Sequence, residues 1–200
     1  MRPLSAHALA LLSIVAWVTP AGAATTVYDD RAAWESAVGG VFLREEFADA
    51  VLNPGVSFVS AESGHVNPAL EVYQDVLAST SSNAPATTWH FATAIVAYGG
   101  TWTLGGPGGS GNSLQVYVDG TTFVGSIPNS YGGDFWGFVS TTPVDSVMLV
   151  GGLGTHQQNY QLDDMVYAPV PLPPAAWLFG GALLALRARR AGRAVEQPDS

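Results

Sequence analysis

The chain of 200 residues contains no cysteine and no lysine, and only 12% of its side chains are charged. Without cysteine there is neither a disulfide framework nor a thiolate metal site, so packing must carry the stability, helped at most by an oxygen-ligated ion. Without lysine the run Gly105-Gly106-Pro107-Gly108-Gly109-Ser110-Gly111-Asn112 cannot be a phosphate loop, which needs a closing Lys-Ser/Thr and a following helix. It reads as an inter-strand loop. The seven basic residues are all arginine, and only Arg31 and Arg44 lie between residues 24 and 168. Against these two stand 14 carboxylates from Asp29 to Asp164, a formal charge of −12 for that stretch. Such a surface repels phosphate backbones, which excludes nucleic acid as a partner, and it suits solubility outside the cell. His65, His90 and His156 are too scattered for the spacing of a zinc site. No nucleophile elbow is present either, and the expectation is a protein without catalytic activity.

What is present begins with the two ends. Residues 1–23 carry Arg2, an apolar stretch from Ala8 to Val18, then Thr19-Pro20 and Ala21-Gly22-Ala23. A short basic start, an apolar middle and small residues at the end are the three parts of a secretory signal peptide, with signal peptidase cutting after Ala23. The apolar stretch, about a dozen residues, is too short to span a hydrocarbon core ~30 Å thick. At the other end, residues 169–193 hold Val170-Pro171-Leu172-Pro173-Pro174, an apolar segment from Ala175 to Leu186, and Arg187, Arg189 and Arg190. Proline forbids helix until about Pro173 or Pro174. From there to Leu186 a helix runs roughly 20 Å, a short transmembrane span whose arginines snorkel and stay on the cytoplasmic side. Residues 194–200 form an acidic tail.

This C-terminal arrangement resembles the PEP-CTERM sorting signals of Gram-negative bacteria, in the variant that reads Val-Pro-Leu-Pro followed by alanines and Trp-Leu-Phe. The resemblance covers about the last thirty residues, with Pro174 and the acidic tail as departures. It implies that Val170, Pro171, Leu172 and Pro173 are a sorting motif and that Arg187, Arg189 and Arg190 are a stop. It also implies that an exosortase cuts near Pro171 to Pro173 while the chain rests transiently in the inner membrane. The destination would be the cell surface or extracellular matrix of a bacterium that makes exopolysaccharide.

Between the ends, residues 24–168 read as one all-β domain. Asp29 and Asp30 can cap a short helix from Arg31 to Val38 that ends at Gly39-Gly40. The helical period then disappears. β-Branched and aromatic runs follow at Val41–Ala48, Val56–Ser60, Thr88–Tyr98, Thr101–Leu104, Ser113–Asp119, Thr121–Ile127, Asp134–Ser140, Asp145–Val150 and Tyr160–Tyr167. Asp119-Gly120 marks a hairpin turn. Many short strands without a long helix predict a β-sandwich of jelly-roll type. The segments Tyr28 to Trp34, Trp136 to Ser140 and Tyr160 to Tyr167 also resemble extracellular domains that often precede such tails.

Two residue groups are candidates for chemistry. Glu45 with Glu46, and Asp163 with Asp164, are adjacent carboxylates on strands, so the members of each pair point to opposite faces. One member of each could meet the other pair if the first and last strands lie side by side, and such a set suits a structural calcium ion. The aromatics in the middle of the chain include Trp102 and Trp136, candidates for stacking on sugars in a carbohydrate-binding module. Trp136 and Phe138 share one face of their strand and Phe135 the other. A secreted hydrolase would instead need two carboxylates about 5 to 10 Å apart across a cleft. Intact-mass measurement of surface material is expected to show a chain lacking residues 1–23 and everything beyond about Pro173. Retention of Trp177 to Arg190 would contradict that processing.

Overall fold

The computed structural model describes residues 24–61, 63–76, 85–105, 113–128, 131–151 and 159–170. The expected signal segment and sorting tail, residues 1–23 and Pro171 through Arg187, Arg189 and Arg190, lie outside the described residues, as do the Gly-rich loop from Gly106 and His156. No helix among the described residues is long and apolar enough to cross a membrane.

The domain opens with strand β1 (Thr25–Tyr28) and helix α1 (Arg31–Val38). Asp30 caps the helix, its carboxylate accepting the Ala33 N–H at 2.7 Å. Gly39, at φ 62°, closes it by donating its N–H to the Glu35 carbonyl, a left-handed position that glycine takes without a Cβ penalty. Trp34 is the helix's buried residue. Its ring packs 5.4 Å from Phe42 and 5.8 Å from Phe135, and its indole N–H donates to the Phe138 carbonyl at 3.0 Å.

The remaining strands are β2 (Leu43–Glu45), β3 (Val56–Ser60), β4 (His65–Asn67), β5 (Val72–Val76), β6 (Pro85–Gly105), β7 (Ser113–Val118), β8 (Thr122–Pro128), β9 (Gly132–Val150) and β10 (Asn159–Pro169). Their antiparallel ladder runs β4-β5-β10-β6-β9-β7-β8, with β1 added on β9, β2 on β10 and β3 on β6. The all-β expectation holds. Two details differ from the reading of short strands. Thr88–Tyr98 and Thr101–Leu104 belong to one strand of 21 residues, and Asp134–Ser140 and Asp145–Val150 to one of 19. These two strands pair along most of their length and bend together. Between the pairs His90↔Ser146 and Ile95↔Val144, β6 advances five positions against two on β9. A bulge of this kind bends a strand rather than ending it, and it leaves room for Pro143, which has no N–H to give the ladder. The strands β1, β4 and β5 carry no strong alternation, and sequence reasoning missed them.

The bend brings strands that are distant along the ladder into contact. Phe58 on β3 meets Tyr73 on β5 with ring centroids 4.9 Å apart, and Trp89 on β6 lies 4.9 Å from the same tyrosine. Around them Phe47, Tyr98, Trp102, Leu114, Ile127, Phe138, Leu149 and Leu162 are fully buried. A second, smaller cluster of Trp34, Phe135, Ala97, Val166 and Ala168 lies under α1. Close approach is needed where β6 crosses β9. A Cβ on Gly137 would sit 2.8 Å from the Tyr98 carbonyl oxygen, so only glycine fits beneath the Phe135 ring. Trp89→Ala should destabilise the domain by about 3 to 5 kcal/mol in urea unfolding, whereas Phe123→Ala, at a half-exposed edge position, should stay within about 0.5 kcal/mol. Equal effects would place the core elsewhere.

Candidate functional site

The carboxylates proposed from sequence do share one region. β2 pairs with β10, with Glu45 opposite Met165 and Arg44 opposite Val166. Asp164 sits in a bulge of β10 at φ 53°, between the register points Asp163 and Val166. Their oxygens, however, are already engaged. Asp164 accepts from Arg31 Nη1 and from Arg44 Nε, one arginine on each oxygen. Glu45 accepts the N–H groups of Phe47 at 3.1 Å and Asn53 at 2.6 Å, which folds residues 46–53 into a fixed loop. Asn53 returns its side-chain N–H to the Arg44 carbonyl at 2.8 Å. Glu46 pairs with Arg44 at 3.1 Å on the exposed rim. Asp163 is exposed at its position, and partial burial raises its carboxyl above the ordinary value against the opposing pull of Arg44.

Calcium asks for six to eight oxygens. Of the four carboxylates, Glu45 and Asp164 spend theirs on N–H donors. The expected ligand set is therefore not assembled at Glu45, Glu46, Asp163 and Asp164 in the described residues, and no group of three or more His, Asp or Glu there could hold a metal ion. What the cluster does instead is tie α1, β2 and β10 together.

The indoles expected to stack on sugars need correction. Trp102 is fully buried and Trp136 is 2% exposed. Trp102 packs between Tyr98 and Tyr160 and donates its N–H to the Trp136 carbonyl at 3.1 Å. Trp136 packs on Phe138, and Phe135 points the other way onto Trp34, as the alternation predicts. Neither face is open, because the core covers one and α1 covers the other.

Sequence reasoning missed a buried polar network on β5. Asp75 is 1% exposed, and its Oδ2 accepts from Ser60 Oγ at 3.0 Å, Thr87 Oγ1 at 2.7 Å and the Tyr73 hydroxyl at 3.4 Å. Thr87 Oγ1 accepts in turn from the Tyr160 hydroxyl at 2.5 Å. Oδ1 of the same carboxylate is buried without a hydrogen-bond partner. The same strands also line a pocket of about 260 Å³, through Gln74, Asp75, Thr103, Gly105, Asn159, Tyr160 and Gln161. The clue in the sequence is the segment Val72-Tyr73-Gln74-Asp75-Val76, whose single acid interrupts an otherwise plain strand.

Of the four residues expected to form a sorting motif, Val170 is described. Its N–H donates to the Ala94 carbonyl at 2.9 Å, one residue past the end of β10. No protein-family model, no curated protein and no solved structure matches the chain.

Burial raises the hydroxyl pKa values of Tyr73, Tyr98 and Tyr160 above the ordinary 10.0. At Tyr73 the hydrogen bond with Thr87 opposes the shift and the charge of Asp75 adds to it. A raised folded-state pKa means that the unfolded chain releases its protons first, so this stability is intact below pH ~10 and is lost as pH rises further. The urea midpoint should fall above pH ~10, with the tyrosinate absorbance of these residues appearing together with unfolding, and Tyr73→Phe should reduce the slope. Ionisation of all tyrosines before any loss of structure would contradict the buried placement.

Proposed function

We propose that the chain is an exported, non-enzymatic protein of the cell envelope or extracellular matrix, sorted through its C-terminal tail by an exosortase and associated with exopolysaccharide. The observation that carries this reading is the junction between domain and tail. β10, paired on both sides, stops at Pro169, and the Val170-Pro171-Leu172-Pro173 motif starts at the next residue. A processing enzyme would thus meet its motif at the end of the paired strand, with no intervening linker. At the other end, Ala24 donates its N–H to Thr141 Oγ1 at 3.0 Å and accepts from the Thr141 N–H, so the ladder takes up the chain at the residue that signal-peptide removal would leave first.

The non-enzymatic part of the proposal is supported by what the buried acids do. Glu45, Asp75 and Asp164 hold a loop, a set of hydroxyls and two arginines. We further infer that the bent ladder is a two-layered sandwich of jelly-roll type, which the contacts of Phe58 and Trp89 with Tyr73 support. Cell fractionation tests the sorting. Removing residues 170–200 should move the protein from the cell surface and matrix into the periplasm, and loss of exosortase should leave the full chain in the inner membrane. Surface delivery that persists without the tail would overturn the proposal.

A further inference from the structure

β5, β10 and β6 lie side by side so that Gln74 faces Gln161 and Gln161 faces Thr103, while one step along Asn159 lies opposite Gly105. Alternation sends their neighbours Tyr73, Leu162, Trp102 and Leu104 into the core. The outward set stays half-buried or exposed and lines the 260 Å³ pocket described above. Gly105 supplies its hollow, since a Cβ there would meet nothing within 4 Å. The volume falls below the roughly 300 to 1,000 Å³ of sites that enclose a drug-sized ligand, which fits one unit of a chain running on across an open sheet.

The lining offers the carboxamides of Gln74 and Gln161 and the hydroxyl of Thr103. Each carboxamide brings an acceptor and two donors. Gln74 already accepts from Asn67 Nδ2 at 2.9 Å, which fixes the side chain and leaves its own NH₂ as the donor. The one ionisable acid of the lining, Asp75, turns its carboxylate inward onto Tyr73 and Thr87, and the lining holds no cation. An anionic ligand would find no cation here and would meet the acidic balance of the whole domain. A divalent cation would find neutral amides where it asks for several oxygens of high charge. An apolar ligand would strip water from the amides and give nothing back. A neutral sugar, whose neighbouring hydroxyls each donate and accept, matches the set.

We propose that this amide-lined groove binds a neutral, hydroxyl-rich polysaccharide chain, with one sugar unit seated over Gly105 between Gln74, Gln161 and Thr103. The proposal rests on the matrix-associated reading given above, and it moves the sugar contact from the buried indoles to the outer face of the sheet.

Affinity electrophoresis of the purified full chain tests it, with the producing cells' own exopolysaccharide, neutral dextran and polyanionic alginate as the three probes. The wild-type chain should be retarded by the producer's polymer or by dextran, and not by alginate. Gln74→Ala combined with Gln161→Ala should weaken the interaction about tenfold or more. Gly105→Phe should abolish it by filling the hollow, and both variants should keep the wild-type melting temperature. If the double variant unfolds, Gly105→Phe decides alone. Binding that survives both changes, or that favours alginate, overturns the groove while leaving the sorting proposal untouched. Failure of the wild-type chain to bind any probe, while fractionation still finds it at the surface, also sinks the groove alone. Tail-independent delivery sinks the sorting reading instead.

Discussion

Asp164 takes up both arginines of the described residues, Arg31 from α1 and Arg44 from β2. Its own position is unusual, a bulged β10 residue with positive φ, and its side chain is 12% exposed. A charge so shielded from water is costly unless paired, and pairing it with two cations fixes the helix and the first strands against the last strand. Glu35 and Glu46 complete the chain of charges from the solvent side, where each pair contributes little. Remove the shared carboxylate and α1 would keep its apolar packing through Trp34 and Val38 but lose its charged tie to β10. In a domain with almost no basic residues, placing both of them on one anion concentrates the electrostatic ordering at a single point.

Much of the architecture was legible because it follows from local rules. Asp30 and Gly39 bound the helix, Asp119-Gly120 turns the β7–β8 hairpin at φ 49° and 73°, and β3 spans the five residues its pattern marks. The juxtaposition of the Glu45-Glu46 and Asp163-Asp164 strands was legible too. What escaped was long-range. The sequence pattern stops at Ser140 and resumes at Asp145, yet a bulge on the partner strand lets β9 continue past Pro143 between them. Short β4 and β5 gain their strand character from pairing with β10, and three to five residues give too little alternation to announce it.

The sites divide along the same line. Alternation placed Trp136 and Phe138 on one face and Phe135 on the other, but a strand pattern does not say what covers a face. Here α1, far away in sequence, closes the second face through Trp34. The acidic pairs were visible as acids, and their service to N–H donors was not, because the donors come from the chain's own loop and from arginines 120 and 133 residues away. The amide groove is the extreme case. Gln74, Thr103 and Gln161 carry no spacing signature, and only the register of three strands assembles them.

The placement of β10 also has a mechanical side. It is the last strand of the chain and an interior one, flanked by β6 on one side and by β5 and then β2 on the other. A polymer or membrane linked to the chain beyond Val170 would pull along the axis of that strand. Such a load stretches the hydrogen bonds to both neighbours in shear, all together, instead of peeling an edge strand away one rung at a time. If the proposed tail holds the domain in a matrix, the load therefore falls on an interior strand, which must be sheared free of both neighbours at once.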